Sequence, residues 1–411
     1  MNYLSNKYPV FALIFLLFLL FIRPLMADDV KVGLLLPLTG KLASFGEMEK
    51  NAFLMAAEEI NAAGGIYGEN MRLIIEDTAG IPANGQSAVK KLIFQDKVLI
   101  LGGGYSSSVT WKTMTLAQKQ EVPFLINTSS ADKITERGKK YIFRLNQPAS
   151  GYFEVFASFI KKELQAKNFA IVHEDTQFGH SRSNTIIQQL NRLNLTLVIK
   201  CDYTPGRTDH RAILENIRDK QPELLYLISN DMNDAVLLVN QAREIGLTPK
   251  LIVGGTYIFS LPEFRKNAMK GSEYVCTYIL WSPFLPYIES RLFFKKYIKH
   301  YQITPDYHAA QAYSAMYVIR DALLRSKTLT STDIRDALSK TNLDTVFGPV
   351  KFISYNKKTQ QNRLPVLLGQ WQKGRLEIIW PRKLASQNFQ IYPRREESTG
   401  GSAAIQPSGE L

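Results

Sequence analysis

The feature that most constrains the fold is an alternation of apolar strand-like and helical segments. The run VKVGLLLP at 30–37 has the composition of a strand that is buried on both faces, and a helical pattern at 46–62 follows it. Strands separated by helices pair in parallel, because a parallel pair needs a long crossover connection. The alternation therefore predicts an α/β protein with doubly wound parallel sheets, whose ligands bind at the carboxyl ends of the strands.

The alternation runs through the chain twice, with a break at 146–148 (Asn-Gln-Pro) that is typical of a linker. Before the break it predicts further strands at 72–76, 98–101 and 123–127 and helices at 84–95 and 109–120. After the break it predicts helices at 152–164, 181–193, 209–219 and 234–245, and strands at 169–173, 196–203, 223–229 and 250–254. Long helices at 309–326 and 331–339 follow, and then strands and hairpins at 350–380. Two similar units imply a ligand cleft.

Both ends of the chain have compositions that differ from this pattern. An apolar run from Val10 to Ile22 precedes the small residue Ala27, which is the pattern of a secretory signal peptide cleaved after Ala27, with an uncleaved anchor as the alternative. A transmembrane helix needs about 20 apolar residues, so the run is too short to span a bilayer. Residues 386–411 become rich in Gly, Ser, Pro and Glu towards their end, and a disordered tail is expected there.

Charge and cysteine content exclude some classes of protein. The net charge is +13, but the basic residues occur singly or in pairs and form no recognised nucleic-acid-binding module, so a solvated basic surface is expected. Cys201 and Cys276 are the only cysteines. Two cysteines form no disulfide scaffold in a chain of this length, and two separate strand thiols are favoured over a bridge.

Three motifs point to other chemistry and fail on spacing. Gly102-Gly103-Gly104 does not continue into G-x-G-x-x-G, and no G-x-S-x-G elbow of a serine hydrolase is present. His173, Glu174 and His180 do not have the H-E-x-x-H spacing of a zinc site. We therefore expect no metal, no cofactor and no enzymatic activity.

The sequence resembles the type I periplasmic binding proteins, in the branched-chain amino-acid (Leu/Ile/Val) branch of ABC transporter binding proteins. The resemblance extends from about residue 30 to about residue 385, and its specificity comes from the order and spacing of many segments. These are PLTGKLASFG (37–46), INAAGGIYGENMRLIIEDT (60–78), GGGYSSS (102–108), ITERG (134–138), YIFR (141–144), EDTQFGHS (174–181), PELLYLISND (222–231), QAREIGL (241–247), DYHAAQAYSAM (306–316) and TVFGPVKF (345–352).

The resemblance implies two Rossmann-like lobes joined by three crossings, at 146–148, 275–282 and 350–353. The lobes would then be discontinuous, with lobe 1 formed by 28–147 and 279–352, and lobe 2 by 148–278 and 353–385. It also implies a monomeric periplasmic protein that closes around a small ligand and docks on an inner-membrane ABC permease.

Two hydroxyl-rich segments are candidate ligand sites in lobe 1. Tyr105 and Ser106 follow one predicted strand and open a helix, and Thr128 and Ser130 follow the next. Helix N-termini present unpaired N–H groups and a positive dipole end, which suit a carboxylate or carbonyl oxygen. The resemblance implies ligand contacts at Ser106, Thr128 and Ser130, although serine and threonine are also ordinary helix caps.

The resemblance implies further contacts in both lobes. Phe45 and Phe178 match aromatic positions that cover the ligand side chain, and for each the alternative is local packing. Asp231 and Thr256 stand where the family holds the ligand ammonium with a tyrosine and a glutamate, so the amine is open. Asp231 either takes over the ammonium or caps the helix at 234–245. Tyr307 and His308 either reach the cleft or pack at a helix start.

The expected function is therefore capture of an amino acid, amide or related small carboxylate for an ABC importer. A periplasmic ligand sensor of the same fold is the main alternative, and a secreted enzyme is the less favoured one.

Overall fold

The fold contains two β-sheets whose central strands are parallel. The computed structural model describes residues 29–392 apart from Arg137. The strands are β1 (Val30–Leu36), β2 (Met71–Asp77), β3 (Ile100–Gly103), β4 (Phe124–Ile126), β5 (Ile142–Arg144), β6 (Asn168–Glu174), β7 (Thr196–Tyr203), β8 (Leu224–Ile228), β9 (Leu251–Gly254), β10 (Val275–Ile279), β11 (Asn342–Thr345), β12 (Gly348–Tyr355), β13 (Lys358–Asn362), β14 (Leu367–Gln372) and β15 (Arg375–Trp380).

The helices separate the strands as the sequence pattern predicts. They are α1 (Ala43–Ala62), α2 (Pro82–Lys90), α3 (Ser107–Lys119), α4 (Ala149–Phe159), α5 (Gln177–Asn191), α6 (Arg211–Asp219), α7 (Met232–Glu244), α8 (Pro262–Ala268), α9 (Ser290–Tyr301), α10 (Tyr307–Arg325) and α11 (Ser331–Ser339). Single π-helical turns extend α2 over Lys91–Gln95 and α4 over Ile160–Leu164. Within the described residues no helix is long and apolar enough to cross a membrane.

The chain divides into two units that it enters in turn. Of the described residues, the first contains those up to Pro148 together with Trp281–Leu364, and the second contains Ala149–Leu280 together with those from Pro365 onward. The first unit has an eight-stranded sheet in the order β11-β12-β13-β5-β4-β3-β1-β2. The second has a seven-stranded sheet in the order β15-β14-β10-β9-β8-β6-β7.

Within each sheet the strands of the α/β alternation are parallel. In the first unit β1 pairs with β2 and β3, and β4 pairs with β3 and β5, all in parallel. In the second unit β6 to β10 pair in parallel, and β14 joins β10 antiparallel. Five consecutive residues of β1, from Val32, and all of β8 are buried, as expected for strands covered on both faces. The predicted α/β fold class is therefore confirmed.

The structure differs from the predicted boundaries at two places. The third crossing was expected at 350–353, but the units separate after Leu364. The reason is a hairpin, because β13 pairs antiparallel with β12 and also joins the parallel edge strand β5 of the first unit. The tail was expected to be disordered from 386, yet Gln370 accepts a hydrogen bond from the Gln390 N–H at 2.9 Å, and Phe389 packs on Phe159.

The remaining predictions concern the two ends of the chain and the two cysteines. The predicted signal peptide (1–27) and the rest of the predicted tail (393–411) lie outside the described residues. Cys201 in β7 and Cys276 in β10 are both free thiols. Helix α9 was not predicted, and its Phe293 and Tyr297 are buried in the first unit.

Candidate functional site

The loops that follow β3 and β4 lie side by side in the first unit. Their strands are paired with Gly103 opposite Ile126, so both chains leave the sheet at the same edge. Ser129 ties the two loops together, because its N–H donates to the Gly104 carbonyl at 2.9 Å and its hydroxyl lies 2.6 Å from that of Thr110. The structure thus brings together the two hydroxyl-rich segments that the sequence singled out.

The glycines of this turn serve backbone geometry. Gly103 and Gly104 have φ angles of +95° and +87°, which disfavour residues with a Cβ. A Cβ on Gly103 would also lie 2.5 Å from the carbonyl oxygen of Leu35 in the neighbouring strand. The Gly-rich segment is therefore required by the close approach of β3 to β1, which accounts for it without a dinucleotide.

Ser106 and Ser130 have hydroxyls that the protein leaves largely unengaged. Ser106 is the N-cap residue of α3, but within the described chain its side chain makes no capping hydrogen bond and lies 3.0 Å from the Ser108 hydroxyl. Ser130 is half-buried, and its side chain takes part in none of the hydrogen bonds among the described residues. Two hydroxyl donors beside an uncapped helix N-terminus form a suitable anchor for a carboxylate.

Thr128 differs from these two serines, since it is buried and its hydroxyl is surrounded by protein groups. The Asn127 amide donates to Thr128 Oγ1 at 2.9 Å, and Gln311 Oε1 lies 3.2 Å from the same oxygen. The hydroxyl of Thr128 also donates to Glu49 Oε1. The predicted ligand contact at Thr128 is therefore a member of a buried network.

Glu49 is the centre of that network and was not singled out from the sequence. It lies on the inward face of α1 with no exposed surface, and Asn127 Nδ2 donates to its Oε1 at 2.8 Å. Burial raises the pKa of the Glu49 carboxyl to about 7, while the nearby His308 and the hydrogen bonds from Thr128 and Asn127 lower it. Its second oxygen, Oε2, is buried without a hydrogen-bond partner among the described residues.

Arg144 fixes the backbone on either side of Ser130. The side chain is fully buried at the end of β5, and its guanidinium donates to the Ala131 carbonyl at 2.6 Å and to the Ser129 carbonyl at 3.4 Å. A further bond runs from Nε to Gln361 Oε1 at 2.7 Å. The sequence signal for this role was the YIFR segment, but a buried arginine cannot be told from an exposed one by pattern alone.

Three aromatic rings form a cluster beside the hydroxyl-rich loops. The ring of Phe45 stacks on Tyr105 with centroids 5.2 Å apart, and His308 lies 5.1 Å from Phe45 and 5.3 Å from Tyr105. His308 is buried at the start of α10, where its Nδ1 is 2.9 Å from a carboxylate oxygen of Asp306. Phe45 and Tyr105, both predicted site residues, thus share one surface with His308.

In the second unit the predicted ammonium site is a helix start. Asp231 is the N-cap residue of α7, and its Oδ1 accepts hydrogen bonds from the N–H groups of Asn233 at 2.8 Å and Asp234 at 3.1 Å. The Thr256 hydroxyl donates to the Ser229 carbonyl at 2.5 Å. Of the two roles considered for Asp231, helix capping is therefore present, and one carboxylate oxygen carries it.

Further side chains surround this edge of the second sheet. Glu174, at the end of β6, is buried and accepts the Asn230 N–H and the Thr176 hydroxyl, both at 2.8 Å. Phe178, in the first turn of α5, has 43% of its surface exposed. Among the described residues no three His, Cys, Asp or Glu side chains form a group that could hold a metal ion.

Comparison with known proteins gives one consistent result. The sequence profile of the periplasmic binding protein family matches residues 29–375. The chain is 25% identical over 382 residues to Leu/Ile/Val-binding protein homolog 7 of Brucella melitensis, covering 88% of this chain and 94% of that protein.

Solved structures agree at the level of the fold. The branched-chain amino acid transporter substrate binding protein LivJ of Streptococcus pneumoniae, in complex with isoleucine, has a TM-score of 0.70 at 24% identity, covering 85% of this chain and 98% of that one. A solute binding protein of an ABC transporter from Rhodopseudomonas palustris, in complex with 3,4-dihydroxybenzoic acid, has a TM-score of 0.69 at 20% identity, covering 85% and 95%.

Proposed function

Since the chain belongs to the periplasmic binding protein family, we propose that it captures an amino acid in the periplasm as the substrate-binding protein of an ABC importer. It would bind and release its ligand unchanged. Its membrane partner would be the permease of that importer. The expected affinity is micromolar, about 8 kcal/mol, which suits capture followed by release.

One observation carries this proposal, namely the hydroxyls of Ser106 and Ser130 beside the uncapped start of α3. Among the described residues the Ser106 hydroxyl lies 3.0 Å from the exposed Ser108 hydroxyl, and the Ser130 hydroxyl bonds no protein group. A carboxylate placed there would receive charge-assisted hydrogen bonds, each worth about 1.5 to 3 kcal/mol. Arg144 supports the arrangement, because it holds the carbonyls of Ser129 and Ala131 and so limits the movement of the serine between them.

The second unit would supply the groups that recognise the ligand ammonium. Asp231 caps α7 through Oδ1, which leaves Oδ2 for a cation. Thr256 keeps its hydroxyl on the Ser229 carbonyl and adds no charge. Asp231 would thus replace the glutamate and tyrosine of the family pattern with a single carboxylate.

The side chain of the ligand would contact aromatic surfaces. Phe45 and Tyr105, half-buried and stacked on each other over the buried His308, offer a ring surface in the first unit, and Phe178 offers an exposed ring in the second.

A ligand screen tests the proposal. The refolded protein, free of ligand from the expression host, would be heated with amino acids, amino-acid amides and simple carboxylates, and calorimetry would follow each hit. A ligand at 100 times its dissociation constant stabilises the folded state by about 2.7 kcal/mol. An amino acid among the hits supports the proposal, and a panel in which only amides bind contradicts the carboxylate anchor.

A further inference from the structure

We propose that Glu49 is a positioning residue that couples binding of a ligand carboxylate to the uptake of a proton. This inference rests on the proposed function, because it assumes that a carboxylate binds beside Ser106 and Ser130. In this inference the buried Glu49 of α1 determines where the Thr128 hydroxyl donates its proton and whether a negative charge is present nearby.

The argument begins with the proton of the Thr128 hydroxyl. This hydroxyl has one proton to donate, yet two acceptors compete for it, Glu49 Oε1 and Gln311 Oε1. The Asn127 amide already donates to the same oxygen at 2.9 Å. Which acceptor receives the proton of Thr128 is therefore decided by the protonation state of Glu49.

The two states of Glu49 present different surfaces. An ionised carboxylate can only accept, so it holds the Thr128 proton and turns that hydroxyl away from other acceptors. A protonated Glu49 can instead donate to Thr128 Oγ1, which releases the Thr128 proton for Gln311 or for a bound carboxylate. Protonation also removes a buried negative charge from the neighbourhood of the incoming anion.

The environment of Glu49 makes this change accessible near neutral pH. Burial raises the pKa of its carboxyl to about 7. The titratable groups that face it are Asp306 and His308 at the start of α10, of which His308 lowers the pKa of Glu49 and Asp306 raises it. The loop after β4 contributes only the neutral donors Asn127 and Thr128.

The sign of the effect follows from linkage. A bound anion disfavours the ionised form of Glu49 and raises its pKa further, so binding takes up protons at and above about pH 7. Affinity for a carboxylate therefore rises as the pH falls from about 8 to about 6, by at most about tenfold per pH unit. Below that range Glu49 is protonated with or without ligand, and the dependence ends.

Calorimetry in buffers of different ionisation enthalpy measures the coupling, with L-isoleucine and benzoate as probes for wild type, Glu49→Gln and Glu59→Gln. Glu59 is the matched control, since it lies on the same helix and its pKa is lowered by bonds from Tyr313, Tyr317 and Lys296. We expect proton uptake in wild type and in Glu59→Gln, and none in Glu49→Gln.

Each outcome separates the coupling from the proposed function. Binding of either probe with equal proton uptake in wild type and Glu49→Gln overturns the coupling and leaves the proposed function intact. Binding of neither probe contradicts the proposed function for these ligands. Infrared titration of the ligand-free protein then decides the role of Glu49. Wild type should show a protonated-carboxyl band that is lost near neutral pH, and Glu49→Gln should lack this band. The presence of the band in Glu49→Gln would overturn the inference.

A second variant covers the case in which Glu49→Gln does not fold. Thr128→Val removes a hydrogen-bond donor from the Glu49 carboxylate and should raise its pKa. The midpoint of the infrared titration should then move to higher pH than in wild type. An unchanged midpoint contradicts the inference.

Discussion

The carboxyl edges of the two sheets use the same position, the residue before a helix, in opposite ways. In the first unit the N-cap Ser106 leaves its helix uncapped by its side chain, as far as the described residues go. In the second unit the N-cap Asp231 holds two backbone N–H groups of α7 with one carboxylate oxygen. The first edge therefore offers a hydroxyl that caps no helix, whereas the second offers a negative charge that already accepts two N–H groups of its helix.

This comparison teaches that the residue type at a helix start does not reveal its role. Serine and aspartate are both favoured N-caps, so sequence alone gives each the same two interpretations. The hydrogen bonds separate them, because a hydroxyl that caps nothing is available to a ligand.

The largest expected effect concerns the buried acid of the first unit. The folded pKa of Glu49, about 7, lies above the ordinary value of a glutamate, so the stabilisation that its proton provides is complete below about pH 4.5 and is lost as the pH rises through 7. From pH 5 to pH 8 wild type should lose roughly 3 kcal/mol of unfolding free energy relative to Glu49→Gln. Urea unfolding at each pH measures this.

Glu59→Gln is the control for that measurement. The pKa of Glu59 is lowered, so its contribution is present above its unfolded pKa and is lost only at acidic pH. Its difference from wild type should stay constant from pH 5 to pH 8. A similar slope in both comparisons would show that the effect does not come from Glu49.

The next largest effect tests the Ser106 and Ser130 hydroxyls of the first edge. Replacing Ser106 and Ser130 together by alanine should weaken binding of L-isoleucine and of benzoate about a hundredfold. Each hydrogen bond to a charged group contributes about 1.5 to 3 kcal/mol, and water that bonds the carboxylate in the variant recovers part of this free energy. Titration calorimetry measures the loss. Ser87→Ala on α2, whose hydroxyl bonds the Ala83 carbonyl and no other group among the described residues, is the control and should bind normally.

A smaller effect tests the charge of the second edge. Asp231→Asn should weaken L-isoleucine binding about tenfold, because an amide no longer compensates the ammonium, and should leave benzoate binding unchanged. Stability should hold, since asparagine caps helices as well as aspartate does. Equal affinity for L-isoleucine in variant and wild type would leave Asp231 with helix capping as its whole role.

The smallest effect compares the two caps directly. Asp231→Ala should lower the unfolding free energy by about 1 kcal/mol, because two N–H groups of α7 lose their acceptor. Ser106→Ala should lower it by less than about 0.5 kcal/mol, because its side chain caps nothing in the described chain. Comparable losses in the two variants would contradict the distinction between the edges.

The sequence predicted the fold class and the family, and both are confirmed, because apolar strands separated by helices admit few arrangements. The strands and hairpins predicted at 350–380 include β13, but its place in the first unit was missed, since an alternation of strands and helices does not show which sheet an added hairpin joins. Glu49 and Arg144 were also missed, because a charged residue in a helix or strand is usually exposed and its burial depends on distant partners such as Gln361.

The hydrogen bonds of the structure distinguish roles of the predicted site residues that the sequence leaves equivalent. Thr128 and Ser130 are equivalent in sequence, yet one lies in a buried network and the other is unengaged among the described side chains. That difference arises from α1 and α10, which bring Glu49 and Gln311 to Thr128 from far along the chain. The contribution of both residues to binding stays a prediction.

The measurement that tests the central claim most directly is a calorimetric comparison of each acid with its primary amide. L-leucine, L-isoleucine, L-valine and benzoate would each be paired with the corresponding amide on the refolded wild-type protein. If a carboxylate is anchored at Ser106 and Ser130, every acid that binds should bind about a hundredfold more tightly than its amide. Equal affinities within a pair would contradict the carboxylate anchor and with it the account of the first edge.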